Sequence, residues 1–125
     1  MHQSQVQSPV TRSRIVGGVL GLAVGDALGV PVEFTGREVL ARNPVTGMRG
    51  WGVHNQPAGT WSDDTSMALC VLESLLEKGW DLEDQGGRFV RWIYAGHLTA
   101  HGKVFDFGGT TRDALRRIRN GFKAS

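Results

Sequence analysis

Residues 59–67 read GTWSDDTSM, and two adjacent carboxylates, Asp63 and Asp64, lie there among hydroxyl side chains. An apolar run over residues 67–72 follows at once and is typical of a buried helix. Adjacent carboxylates repel each other and lose solvation when buried, so a positive charge is expected beside them. A helix N-terminus supplies part of it, and a hard divalent cation with oxygen ligands would supply more. The stretch alone leaves two interpretations open, a helix cap and a metal site.

The composition is that of a globular protein and argues against two classes of function. The 125 residues are 40% hydrophobic and 21% charged, which suffices for one domain or part of one. A formal net charge of +2 is too small a surplus of bases for a nucleic-acid-binding face. The apolar run over residues 15–32 is interrupted by Gly25, Asp26 and Pro31, so we expect no membrane span.

The N-terminus and the single cysteine bear on location and domain limits. Cys70 lies in an apolar helical run, so we expect a buried packing residue and a cytoplasmic location. The first residues are polar and show no signal-peptide pattern. We expect residues 1–12 to form a flexible arm and residues 13–125 to form the helical domain.

Hydrophobic periodicity and capping signals predict a mostly helical chain, with helices over residues 14–28, 35–42, 64–78, 82–95 and 111–119. The first helix is apolar on all sides and should be buried, with a glycine stripe at 17, 21 and 25 that admits a neighbouring helix. Asp26 inside it needs a polar partner, and Gly29 should end it. In the fourth helix the aromatic side chains should face the core, and Arg88 and Arg91 should face the solvent.

Two capping-box spacings and one long loop complete the sequence pattern. Capping-box spacings, Thr35 with Glu38 and Thr110 with Asp113, mark the second and last helices. The loop over residues 44–61 is long enough to be functional, and its His54 is assigned no role.

His97 and His101 have a spacing that suits zinc on a helix, but the flanking glycines argue against a helix there, and no third ligand joins them. We expect no zinc site.

Three segments together resemble one family, the ADP-ribosylglycohydrolases. They are GDALG at residues 25–29 followed by Glu33 and Phe34, GTWSDDT at residues 59–65, and FDFGGTTR at residues 105–112. The third segment looks like the bacterial branch of the family, the dinitrogenase reductase-activating glycohydrolases. Each motif alone is modest, and their common order and spacing carry the resemblance.

The resemblance implies an all-α fold, a multi-helix orthogonal bundle, that removes ADP-ribose from protein side chains or small acceptors with two Mg²⁺ or Mn²⁺ ions. It makes Ser62, Asp63 and Asp64 the first half of the metal ligands. It places Glu33 near the ribose and Asp106 near the substrate as candidate catalytic carboxylates, without choosing between them. It also implies that Gly108, Gly109 and Thr110 offer N–H groups to the pyrophosphate, although that turn alone could equally be a helix cap.

One departure from the family pattern concerns length. Family members are about twice as long or more and carry a second metal motif, an Asp-x-Asp-Thr segment, near the C-terminus. No such segment follows Gly121. We therefore expect an apparently truncated form, whose core an oligomer or a missing C-terminal half would complete. Its expected function is metal-dependent hydrolysis. The alternative is a non-catalytic relative that binds ADP-ribose or has a structural role. Nucleic-acid binding through the arginines of the last helix is a weaker third hypothesis.

Overall fold

The computed structural model describes residues 9–125, and the regular structure in this range is helical. The helices are α1 (Pro9–Gly29), α2 (Arg37–Arg42), α3 (Asp63–Lys78), α4 (Leu82–Ala95) and α5 (Gly109–Arg119), with a 3₁₀ turn at Val30–Val32 directly after α1. An isolated antiparallel bridge between Trp51 and Gln56 is the only β pairing in the described range. The predicted all-α class is confirmed.

The core lies between α3, α4 and α5, which pack on one another in sequence order. Its centre consists of Cys70, Trp92 and Leu115, all buried. Partly buried apolar side chains surround that centre: Met67, Phe89, Ile93, Leu98, Val104, Phe107 and Ile118. Each large apolar side chain removed from water contributes about 1.5–3 kcal/mol, so this cluster holds the three helices together.

The bounds of α3 and α4 follow from local signals that the sequence shows. Gly79 ends α3 with a φ of +74°, a conformation that glycine adopts without strain. Asp81 begins α4 as its N-cap, because its carboxylate accepts a hydrogen bond from the Asp84 N–H at 3.0 Å. These positions agree with the prediction to within one residue.

The bounds of α1 differ from the prediction. The helix already includes Pro9, so residues 9–12 are helical where an arm was expected. The rest of that arm, residues 1–8, lies outside the described residues. At the other end Gly29 is not a C-cap, because its φ of −76° and ψ of −39° are right-handed and the chain continues into the 3₁₀ turn.

The burial of α1 also differs from the prediction, because most of its apolar side chains are exposed. They are Val10, Ile15, Val16, Leu20, Leu22 and Val24. A Cβ built at Gly17, Gly21 or Gly25 would meet no heavy atom within 4 Å, so in the described part of the chain no helix lies against the glycine stripe. The reason is that, among the described elements, α1 packs only on α3 and the 3₁₀ turn.

By length and mean hydropathy, residues Val10–Val32 could cross a membrane, which the sequence interpretation did not expect. The mean hydropathy of the best window is 1.9. The core helix of a soluble protein passes the same test, so this is weak evidence for a span. Moreover, Asp26 in this helix is hydrogen-bonded to α3, as described below.

Arg88 lies in the interior of the protein, contrary to the prediction that it faces solvent. Its side chain is 3% exposed and its guanidinium pairs with three carboxylates, those of Glu73, Glu77 and Asp84. The helical period alone could not show this, because two of these partners come from α3. Arg91, one turn along, is exposed as predicted.

The two capping boxes are not formed. α2 begins after Gly36 and α5 after Gly108, and neither N-cap makes a side-chain hydrogen bond. In both cases a glycine takes the position where the sequence pattern had placed threonine.

Candidate active site

The predicted site residues meet in one cleft of about 800 Å³. Its walls are the C-terminal half of α1, the start of α3 and the segment over residues 105–108. Six of the candidate residues line it: Glu33, Ser62, Asp63, Asp64, Asp106 and Gly108. Gly21 and Gly25 of the glycine stripe line it as well, so this part of the stripe faces the cleft and not a second helix.

Asp26 holds the start of α3 against α1. One carboxylate oxygen accepts hydrogen bonds from the Ser62 N–H at 2.9 Å, the Thr65 N–H at 3.1 Å and the Thr65 hydroxyl at 2.6 Å. The other oxygen accepts one from the Ser62 hydroxyl at 2.6 Å. These four bonds supply the polar partner that the sequence required, and they turn Asp63 and Asp64 toward the cleft.

The two adjacent carboxylates suit a cation. Burial raises the pKa of Asp63 above its usual value, and the negative charge of Asp64 raises it further. Within residues 9–125, no lysine, arginine or histidine forms an ion pair with either carboxylate. The helix start therefore provides the only described partial positive charge, and a divalent cation fits the donor set of two carboxylates and one hydroxyl.

A second group of ionisable side chains lies in the same cleft. Glu33 Oε2 is 2.5 Å from His54 Nε2, and Asp106 Oδ2 is 3.5 Å from the same nitrogen. The three side chains lie close enough together for a metal ion to take one ligand atom from each. His54 is 9% exposed, whereas about half of each carboxylate side chain is exposed to the cleft. The histidine is therefore more buried than the two acids, and its Nε2 is hydrogen-bonded to Glu33 and within ion-pair distance of Asp106.

Packing places His54 at this point. Its ring lies between Phe34 and Phe105, with centroid distances of 6.3 and 5.5 Å. The loop that contains it rests on the 3₁₀ turn through Gly52, where a Cβ would come within 2.0 Å of the Pro31 carbonyl oxygen. Only glycine permits this approach, and its φ of +51° also favours glycine.

The backbone next to both acids is in an unusual conformation. Phe34, which follows Glu33, has a φ of +60°, and Asp106 itself has a φ of +36°. Non-glycine residues in the left-handed region are uncommon and cluster at functional sites. Phe107 anchors the Asp106 segment, because its ring packs edge-on against Trp92 at 6.0 Å.

The predicted pyrophosphate turn is divided between two surfaces. Gly108 lines the cleft and is the N-cap of α5. Gly109 is the first residue of that helix, and Thr110 lines a separate groove between α4 and α5. Gly108, the N-cap of α5, is therefore the part of this turn that borders the cleft.

The remaining histidines have separate partners. His97 Nε2 lies 2.7 Å from Glu73, and His101 Nε2 lies 2.9 Å from the hydroxyl of Thr60. Thr60 is buried two residues before Ser62, so its contact with His101 fixes the segment that leads to the acid pair.

Comparison with known proteins decides the family. A family model described as ADP-ribosylglycohydrolase matches residues 7–125. The chain belongs to the ADP-ribosylglycohydrolase family. It is 42% identical over 103 residues to "ADP-ribosylarginine hydrolase Tri1" of Pseudomonas putida strain GB-1, which covers 82% of this chain and 27% of that protein. It is 34% identical over 119 residues to the ADP-ribosyl-(dinitrogen reductase) glycohydrolase of Rhodospirillum rubrum, covering 87% of this chain and 36% of that protein.

A solved structure agrees with this ADP-ribosylglycohydrolase assignment. A chain of an "ADP-ribosylglycohydrolase-related protein complex" superposes with a TM-score of 0.66 at 43% identity, covering 89% of this chain and 34% of that one. The present chain therefore spans about a quarter to a third of the length of the relatives that it matches. The predicted family is confirmed.

Two residues of this cleft were missed or only half recognised in the sequence. His54 stands in a glycine-rich loop, and only its position shortly before the acid pair could have drawn attention to it. Asp26 was recognised as needing a partner, but nothing in the sequence says that the partners are Ser62 and Thr65. Both assignments depend on contacts across 21 to 39 positions of the chain.

Proposed function

We propose that this chain carries the ribose-side half of a metal-dependent active site that hydrolyses the bond between ADP-ribose and an acceptor. The observation that carries the proposal is the convergence of the acid pair, Asp63 and Asp64, with Glu33 and Asp106 in a single cleft. The relatives named for ADP-ribosylarginine and ADP-ribosylated dinitrogen reductase support a protein side chain as the acceptor. The bond type and the cation are part of the proposal.

The donor set at the start of α3 fits Mg²⁺ or Mn²⁺. Ser62, Asp63 and Asp64 would hold the cation, with the N-terminal N–H groups of α3 behind them. A bound divalent cation supplies Lewis acidity and a fixed point for the ribose hydroxyls. Glycosidic cleavage at ribose develops positive charge at the anomeric carbon, and a carboxylate facing that carbon stabilises the charge.

Two carboxylates are available for proton transfer. Glu33 accepts the His54 hydrogen bond through one oxygen and keeps the other oxygen for water or substrate. Asp106 Oδ2 lies 3.5 Å from the same imidazole nitrogen, so its contact with His54 is weaker. One of them would remove the proton from the attacking water and deliver one to the leaving group. The free N–H groups at the N-terminus of α5, next to Gly108, would donate hydrogen bonds to a phosphate oxygen.

A second candidate function is ADP-ribose binding without turnover. It applies to these 125 residues taken alone, in which Asp63 and Asp64 form the one Asp-Asp pair. With one half of a two-metal donor set, the cation would bind more weakly, while the cleft would still fit the sugar.

The test is release of free ADP-ribose from ADP-ribosylarginine by the 125-residue chain with Mg²⁺ or Mn²⁺, followed by chromatography. We expect release that a chelator stops and that falls at least about 100-fold in Asp63→Asn and Asp64→Asn. Asp113→Asn is the matched control, because this acid is exposed on α5 and lies outside the cleft.

Each outcome separates the candidates. Full activity in chelator would contradict the role of the cation. Saturable ADP-ribose binding without release would favour the second candidate. Neither binding nor release would contradict both.

A further inference from the structure

We propose that Asp26 is a positioning residue for the cation, because it takes over the capping of α3 and so leaves the oxygen of Ser62 free to bind metal. This inference rests on the proposed function, since it concerns the same cation. Asp26 itself is not assigned as a ligand.

A serine at an N-cap normally caps its helix with its own side chain. Its side-chain oxygen accepts a hydrogen bond from the backbone N–H of the second or third helical residue. Ser62 is the N-cap of α3, and Thr65 is the third residue of that helix. Yet Ser62 makes no side-chain capping bond. The Thr65 N–H donates instead to Asp26, at 3.1 Å, from a different helix.

Among the described contacts, the hydroxyl of Ser62 accepts no capping bond and acts as a donor. It gives its one hydrogen to Asp26 Oδ1 at 2.6 Å, and a hydroxyl oxygen keeps two lone pairs when it donates. Ser62 lines the cleft, so those lone pairs remain available there. This state favours a cation ligand, because an oxygen that accepts a capping N–H has one lone pair fewer to offer a metal.

Two features of Asp26 fit such a role. Partners of this kind usually fix the orientation of a metal-binding side chain, and losing one typically weakens metal binding 10- to 100-fold. Asp26 also accepts from the Ser62 N–H and the Thr65 hydroxyl, so it fixes both the backbone and the side chain of the motif.

A purely structural cap is the competing explanation, and a double-mutant cycle separates the two. The probe is Mn²⁺ alone, and its affinity is measured by calorimetry and by the electron paramagnetic resonance signal of free Mn²⁺. We expect Asp26→Asn to weaken Mn²⁺ binding about 10- to 100-fold. In a Ser62→Ala background, which has no hydroxyl to orient, Asp26→Asn should weaken it less than about threefold further.

The matched control is Asp81→Asn, which makes the same substitution at the N-cap of α4, away from the cleft, and should leave Mn²⁺ affinity unchanged. Circular dichroism establishes that each variant is folded. If Asp26→Asn does not fold, Asp26→Glu serves in the same cycle, because it keeps a carboxylate but displaces it.

The possible failures are distinguishable. Unchanged Mn²⁺ affinity in Asp26→Asn, or an equal loss in both backgrounds, would overturn the inference and leave the proposed function standing. An equal loss would mean that Asp26 acts without the Ser62 hydroxyl, either as a structural cap of α3 or through its charge. Absence of Mn²⁺ binding by the unmodified chain would overturn the proposed cation, and this inference with it.

Discussion

His54 lies between two carboxylates because three segments of the chain converge on it. Glu33 comes from the turn after α1, His54 from the long loop, and Asp106 from the segment before α5. None of these neighbours is close in sequence, which is why the sequence alone assigns His54 no role. Ser62, Asp63 and Asp64, by contrast, are contiguous, and their motif could be recognised without a structure.

Replacing His54 should separate its ring packing from its hydrogen bond. His54→Phe keeps an aromatic ring between Phe34 and Phe105 but removes the nitrogen that holds Glu33, so we expect ADP-ribose release to slow about 10-fold or more, mainly through kcat. His54→Gln retains an N–H donor and should recover part of the rate. The measurement is the rate of release across substrate concentrations, and equal rates in all three proteins would contradict the role.

At the scale of elements, the position of the long loop depends on one close backbone approach. Gly52 contacts the 3₁₀ turn at Pro31, and this brings the loop with His54 over Glu33. The sequence shows a loop rich in glycine but not which glycine is required. Helices α3 and α4 could be predicted because caps and stops are local, whereas loop docking is a tertiary contact.

Gly52→Ala should detach this loop. The added Cβ would lie 2.0 Å from the Pro31 carbonyl oxygen and the residue would keep a positive φ, so we expect a loss of about 1–3 kcal/mol in the free energy of unfolding. Urea denaturation measures it. Gly47→Ala is the control, because a Cβ there meets nothing within 4 Å, and an equal loss in both variants would contradict the account.

The pairing of α3 with α4 depends on the buried Arg88. Hydrogen bonds from His97 and from Arg88 lower the pKa of Glu73, and the Arg88 guanidinium lowers the pKa of Asp84. A carboxylate whose pKa is lower in the folded than in the unfolded protein stabilises the folded state at pH values above its ordinary pKa. The ordinary pKa is 4.5 for Glu73 and 3.8 for Asp84, and the stabilisation is lost as the pH falls below these values.

Arg88→Met should therefore change the pH dependence of stability. The unmodified protein should lose stability as the pH falls below about 4.5, while Arg88→Met should be less stable at pH 7 and decline less steeply in acid. Urea denaturation at a series of pH values tests this, with the exposed Arg91→Met as control. Parallel curves for Arg88→Met and the unmodified protein would contradict it.

At the scale of the whole molecule, no element in the described range covers the outer, apolar face of α1. A helix that is apolar on all sides is expected to be buried. For α1 this expectation was wrong, because it assumes that the elements that would cover the helix lie within the described residues. The inner face of the same helix behaves differently, since its glycines and Asp26 form one wall of the cleft. The family resemblance was sufficient to predict the fold class and six of the residues that line this cleft, but it gave no indication of His54.

The central claim is that Asp63 and Asp64 hold a divalent cation that fixes the ribose of ADP-ribose in this cleft. The most direct measurement is a calorimetric titration of the chain with ADP-ribose, in Mg²⁺ or Mn²⁺ and again in chelator. The account predicts binding at least about 10-fold tighter with the cation, and loss of this difference in Asp63→Asn. Equal affinity in chelator, or an undiminished cation effect in the Asp63→Asn, Asp64→Asn double variant, would contradict it.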